Sequence, residues 1–273
     1  MSSLLRAFSL LIEASSLPVH KTLYPFPWIT TLHAARISLA YNAKCKSEAE
    51  TAKTQRLNFA ADMAGYLVMA WSGSMLIASI LNEPFAQLLS VWPLINYVSV
   101  HLILKALPTP SAKVVDLTFP VIDALLRSGA LAGAVLGCAQ HHEYKQSVFA
   151  QLVLGTLAPS AGSLTASTLG VTNPQGWKFS TPYPLLNGMG WIGNLELWIA
   201  TICSVVFGVL THSHSDYDVF TDSPTHTHLG ARSVVMLILA SAYIFKAVYV
   251  HILSTPGKAT QNTNTRSKKG KKE

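Results

Sequence analysis

Apolar runs separated by short polar stretches divide the chain into seven segments. They fall at residues 22–41, 58–81, 87–107, 114–138, 147–169, 188–211 and 231–253. Each is near the length of about 20 residues that an α-helix needs to cross the hydrocarbon of a bilayer. Asn82-Glu83-Pro84 ends the second span, and Pro108 with Pro110 closes the third, because proline cannot continue a helix. The first span is the weakest, since it carries Pro25, Pro27, His33 and Arg36; an interfacial or soluble segment is its alternative. Residues 42–57 read as a lysine-rich loop, and residues 212–230 as a loop rich in His, Asp, Ser and Thr. In residues 1–21 Glu13 interrupts a short apolar run and no clean cleavage site follows, which predicts an amphipathic helix at the interface rather than a signal peptide. From Ser254 the tail is polar and reads as disordered. The pattern therefore predicts an all-α membrane protein with seven transmembrane helices. An N-terminal segment (1–21) precedes a seven-span domain (22–253), and a basic tail (254–273) follows it.

The fifth span contains the stretch around which the chain is organised, Pro159-Ser160-Ala161-Gly162-Ser163-Leu164-Thr165-Ala166-Ser167-Thr168-Leu169. It is full of residues that weaken a helix. Such backbone is tolerated at bilayer depth only where it is buried in protein or lines a water-filled cavity. Gly73-Ser74-Met75-Leu76-Ile77-Ala78-Ser79-Ile80-Leu81 in the second span echoes it with one gap. Interrupted spans in corresponding places of two halves point to a solute pathway at a repeat interface. Spans 1–3 (about 22–107) and 4–6 (about 114–211) would be the two repeats, with span 7 (231–253) as an extra helix. Three is odd, so the second repeat enters the membrane from the opposite side and the repeat is inverted.

Composition supports a membrane protein: half of the residues are hydrophobic and 12% are charged, against roughly 25% in soluble domains. The net charge of +7 does not imply nucleic acid, because it is confined to loops and the tail. Lysine and arginine crowd the loop between spans 1 and 2 (Lys44, Lys46, Lys53, Arg56) and the tail after span 7, and Lys105 and Lys113 flank the turn between spans 3 and 4. The opposite side carries few, among them Arg6 and Lys21. This bias places the C-terminus in the cytosol and the N-terminus in the lumen or outside. Cys45, Cys138 and Cys203 are odd in number and widely spaced, so they read as buried or free thiols.

Ionisable groups inside a membrane are expensive and default to a functional hypothesis. Asp123 and Arg127 are four apart and share a helix face. They read either as pore-side, voltage-sensitive charges or as a structural pair holding span 4 against a neighbour. Lys246, near the cytosolic end of span 7, either snorkels to the interface or is buried for a purpose. Gly129, Gly133 and Gly137 put a groove down span 4 into which another helix could pack. Ser72, Ser74, Ser160, Ser163 and Thr165 offer hydroxyls that could replace part of an ion's hydration shell, or bond back to their own helices. Asp62 and Glu196 lie near the ends of spans 2 and 6 and read as solvated at the interface. His212, His214, His226 and His228 with Asp216, Asp218 and Asp222 could bind zinc or calcium on the lumenal side or form a solvated polar loop; they lack the closed spacing of a structural zinc site, so no metal site is assigned. G-x-S-x-G, H-E-x-x-H and a phosphate-cradling loop are all lacking, so no catalytic residues are assigned and the chain does not read as an enzyme. Lys269 and Lys271, fifth and third from the end, look like a dilysine retrieval signal of the endoplasmic reticulum; a generic basic tail drawn to anionic lipid is the alternative.

The order and spacing of several pieces resemble the trimeric intracellular cation channel family, over about residues 23–250. They are Leu23-Tyr24-Pro25-Phe26, Gly73-Ser74 through Asn82-Glu83-Pro84, Val121-Ile122-Asp123-Ala124-Leu125, the small-residue stretch of span 5, and Phe245-Lys246-Ala247-Val248. The resemblance implies a homotrimer in the endoplasmic reticulum membrane, with an ion pathway in each subunit lined mainly by spans 1, 2, 4 and 5. It implies helix kinks at Gly73 and Gly162, with Ser74, Pro159 and Ser163 beside them. It also implies potassium as the permeant ion, without a further cofactor. The chain departs from the family in two places. Runs of glycine at the kinks are reduced to Ser72-Gly73-Ser74 and Pro159-Ser160-Ala161-Gly162-Ser163, where proline would supply the break. The basic cluster that holds a phosphoinositide in animal members is reduced to Arg127, with Ile122 where the family has lysine, so that ligand is a weakened expectation. The expected function is a passive potassium channel providing counter-ion flow for calcium movement. A carrier on the same scaffold and a non-conducting membrane interaction protein are the alternatives.

Overall fold

The computed structural model describes residues 3–55, 57–186, 190–222 and 224–254. The tail with Lys269 and Lys271 lies outside the described residues. The chain begins with helix α1 (Ser3–Ser16) and a small antiparallel hairpin, β1 (Pro18–His20) and β2 (Tyr24–Pro27). The hairpin departs from the all-α expectation and stands where span 1 was to begin. Helix α2 (Trp28–Ala52) then runs through most of the expected lysine-rich loop, and Lys53 ends it in the left-handed conformation. Helices α3 (Phe59–Ile80) and α4 (Trp92–Lys105) follow. The fourth span is split into α5 (Ala112–Thr118) and α6 (Pro120–Gln140), with Pro120 in the first turn, where its missing N–H costs nothing.

The fifth span is two helices, α7 (Val148–Leu157) and α8 (Ala161–Thr168), which meet at an angle of 63° across Pro159. Short α9 (Gly190–Gly193) precedes α10 (Leu195–Thr211), and α11 (His228–Val248) closes the fold with a π-turn at Tyr249–Leu253. Side-chain caps fix several helix starts by accepting a bond from an otherwise orphaned N–H. Asn58 accepts from Ala61 (2.9 Å), Ser147 from Ala150 (3.0 Å) and Thr227 from Gly230 (3.2 Å).

Among the described residues, α3, α6 and the α11 stretch through Leu253 are long and apolar enough to cross a membrane, and the bent α7–α8 pair makes a fourth. Helices α2, α4 and α10 stand where spans 1, 3 and 6 were expected, but α4 and α10 are shorter and α2 is more polar. One core cluster joins α6, α10 and α11 around Leu131, Val235, Met236 and Leu239, and Ile12 of α1 packs into it. Helix α1 is therefore docked on the bundle; Ser9 and Ser233 share a 2.8 Å hydrogen bond. A second cluster joins α2, α3, α4 and α8 around Tyr41, Tyr66 and Tyr97. The three cysteines are buried and unpaired.

Candidate functional site

Two cavities lie end to end inside the bundle. The larger, about 530 Å³, is a half-open cavity lined by α2, α3, α6 and the α7–α8 bend. At about 30 Å³ per water it has room for well over ten waters. One end reaches Leu81, Glu83, Pro84 and Gln87; the other is bounded by Arg36, Asp123 and Arg127. The smaller cavity, about 140 Å³, continues from those same three residues to Glu196, Lys246 and His251. The two chambers thus share Arg36, Asp123 and Arg127 in their walls.

The charged side chains between them form ion pairs drawn from α2, α5, α6, α10 and α11. Arg36 of α2 donates to Asp123 of α6 at 2.8 Å. Arg127, one turn further along α6, donates to Glu196 of α10 at 2.6 Å and stacks over Tyr243 at 5.2 Å. Lys246 of α11 donates to the second oxygen of the same carboxylate at 2.8 Å. Arg36 also lies 4.0 Å from Asp116, which pairs with His251 at 3.0 Å. Asp123 and Arg127 share a face of α6, as their spacing predicts, yet each takes its partner from another helix. Lys246 is engaged with Glu196 rather than snorkelling freely to the interface. Glu196 corrects the sequence reading: it is no solvated terminus but the common partner of two cations. Asp62 is corrected in the same way. It is buried, accepts a hydrogen bond from Lys105, and faces His101 at 3.3 Å.

The small residues form the wall of the larger chamber. Gly73 and Gly162 are where α3 and α8 cross. A Cβ at Gly162 would stand 2.5 Å from the Met69 carbonyl oxygen, and one at Gly73 would stand 3.3 Å from Ala158 O and Gly162 N. At Gly162 only hydrogen lets the two backbones approach this closely, and at Gly73 a Cβ would fit tightly. The break implied at both glycines occurs at neither, since Gly162 lies inside α8 and the fifth span breaks just before it. Helix α3 runs uninterrupted through Gly73, and Pro159 interrupts the fifth span, because it removes an N–H and clashes with the preceding turn. The hydroxyls near the crossing bond mostly to their own helices: Ser74 to Trp71 O, Ser160 to Thr156 O and Ser163 to Ser160 O, each at 2.9 Å. Ser72 Oγ is buried without a partner.

Gly129, Gly133 and Gly137 line the larger chamber instead of receiving a neighbouring backbone. A Cβ at Gly133 would meet nothing within 4 Å, and at Gly137 only the Leu81 side chain at 3.4 Å. At Gly129 the stripe receives the Arg232 side chain of α11, which a Cβ would meet at 2.8 Å, whereas at Gly133 the packing role is corrected to a cavity wall. In the 212–230 loop, His212 pairs with Asp218 at 2.7 Å and His214 accepts from the Asp216 N–H at 3.0 Å. Burial pushes the Tyr217 hydroxyl pKa upward, and neighbouring Asp216 adds to the effect. Among the described residues no three His, Cys, Asp or Glu side chains converge as metal ligands would.

Helices of membrane length around a charged internal chamber define a helical membrane protein with an internal polar cavity. Its fold is similar to that of a trimeric intracellular cation channel from C. elegans, solved in the absence of Ca2+. The match has a TM-score of 0.53 and 17% sequence identity, and covers 93% of this chain and 98% of that one. At this identity the likeness establishes a shared fold between divergent sequences. No family model and no curated protein matches the chain.

Proposed function

We propose that the chain is a channel passing monovalent cations, chiefly potassium, across the endoplasmic reticulum membrane. There it would supply counter-ion flow when calcium is released or taken up. The observation that carries this reading is the pair of chambers sharing ion-paired residues in their walls, inside the fold of a cation channel. Seven helical spans arranged as two inverted three-helix repeats plus a seventh, and a homotrimer with a pathway in each subunit, complete the proposal. In this reading, which the distribution of lysine and arginine supports, the small chamber would face the cytosol with the C-terminus, and the Leu81–Gln87 mouth the lumen.

In this arrangement the α3–α8 crossing shapes the wall of the pathway. Asp123 and Glu196 offer negative charge to an entering cation, while Arg36, Arg127 and Lys246 compete with it for the same carboxylates. A cation passes when these pairs separate, so the layer is both attraction and gate. Arg127 pairs with Glu196, so a phosphoinositide held there would have to compete with that carboxylate. The lipid contact proposed is that of the bilayer around the exposed apolar helix faces.

A second reading has one observation in its favour. Discontinuous helices such as α7–α8 also build the midplane sites of carriers. Potassium flux through purified protein in liposomes separates the two. A channel gives flux that rises in proportion to the ion gradient and needs no gradient of a second solute. Flux that saturates, or that requires a co-transported solute, is the carrier result and overturns the channel.

A further inference from the structure

The charges at the inner end of the larger chamber are matched, Arg36 by Asp123 and Arg127 by Glu196. The mouth at the opposite end is different. Residues 81–91, which join α3 to α4, contain one charged side chain, Glu83, and it lines that mouth. Glu83 is exposed. Among the described residues no cation lies within ion-pair distance of its carboxylate, neither Lys145 nor a histidine of the neighbouring 141–147 loop. The segment that carries it is tied down at three points. The Glu83 N–H donates to the Ala78 carbonyl at 2.8 Å, and His141 Nε2 donates to the Leu81 carbonyl at 2.9 Å. Gln87 Nε2 donates to Ser74 Oγ, which lies on the chamber wall next to Gly73. The backbone of Glu83 is therefore held beside the opening.

A carboxylate neutralised by a cation has little field left for a passing ion, whereas an unmatched one keeps its field in full. At about 6 Å in water one negative charge raises the local concentration of a monovalent cation about threefold, and lowers that of an anion by the same factor. Salt removes the effect, since the Debye length falls from about 30 Å at 10 mM to about 3 Å at 1 M. We propose that Glu83 is a selectivity-determining residue, which gathers cations at this mouth of the larger chamber and turns anions away. The matched pairs at the inner end cannot do this without first separating. The inference rests on the channel reading above.

The test is the single-channel conductance of the whole protein in planar bilayers, measured at two salt concentrations. For current entering from the Glu83 mouth, Glu83→Gln lowers the conductance about twofold at 10 mM KCl and by less than about 20% at 1 M KCl. Glu83→Lys, which reverses the charge, lowers it about fourfold at 10 mM KCl and moves the reversal potential in a KCl gradient toward that of chloride. Glu83→Asp keeps the charge and retains the wild-type values at both concentrations. The Glu83 side chain makes no ion pair, so these variants fold. Unchanged conductance in Glu83→Gln and Glu83→Lys at 10 mM KCl overturns the role of Glu83 alone. So does an equal fractional loss at both salt concentrations, which is the mark of a changed shape rather than a lost charge. A folded wild type without conductance overturns the channel reading, and this inference with it.

Discussion

Gly162→Leu is expected to abolish ion flux and to lower the stability of the folded protein. The leucine Cβ would be driven to 2.5 Å from the Met69 carbonyl oxygen, a backbone atom that cannot swing away. Helix α8 must then separate from α3, and the wall of the larger chamber goes with it. Overpacking of this kind costs about 1–3 kcal/mol where side chains can yield, and more where they cannot. Gly73→Leu meets Ala158 O and Gly162 N at 3.3 Å, so the neighbours need give only a few tenths of an ångström at the Cβ. The ordering expected is therefore a severe loss at Gly162 and a milder one at Gly73, read by thermal unfolding in detergent and by flux in liposomes. Equal tolerance at both positions would contradict the backbone crossing.

Glu196→Gln is expected to be the most damaging single change in the charged layer. Glutamine keeps the shape but removes the charge that matches both Arg127 and Lys246, leaving two cations inside the bundle. Removing one partner of a buried ion pair costs about 3–5 kcal/mol, chiefly because the remaining charge is stranded. The expected drop in Tm is about 10 °C. Arg127→Gln should cost less, because Lys246 still matches Glu196, and Lys246→Gln should cost less for the converse reason. The contradicting result is Glu196→Gln unfolding no more readily than either cation variant.

Part of this account was legible in the sequence. Helix positions followed from apolar runs, and the break in the fifth span followed from Pro159, since both are local signals. The fate of single charges was not legible. Glu196 and Asp62 sit near helix ends, where a carboxylate normally meets water. What makes them interior partners is the approach of Arg127 and Lys246, or of Lys105 and His101, from helices distant in sequence. The spacing of Asp123 and Arg127 told which face of α6 they share but not that each would pair outward. The glycines of α6 carried a true signal, an open groove. Whether a helix or a chamber occupies such a groove depends on tertiary packing that a four-residue period does not contain. The continuation of α2 to Ala52 was hidden for a related reason, because a polar helix held by its neighbours has the composition of a loop.

Potassium flux through Gly133→Leu in liposomes, beside the wild type, tests the central claim most directly. Gly133 faces open space in the larger chamber, so a leucine there enters the cavity without meeting backbone. The channel account predicts a protein that folds and unfolds like the wild type but carries at least tenfold less potassium. Wild-type flux through a folded Gly133→Leu would show that ions do not pass through this chamber, and would contradict the account.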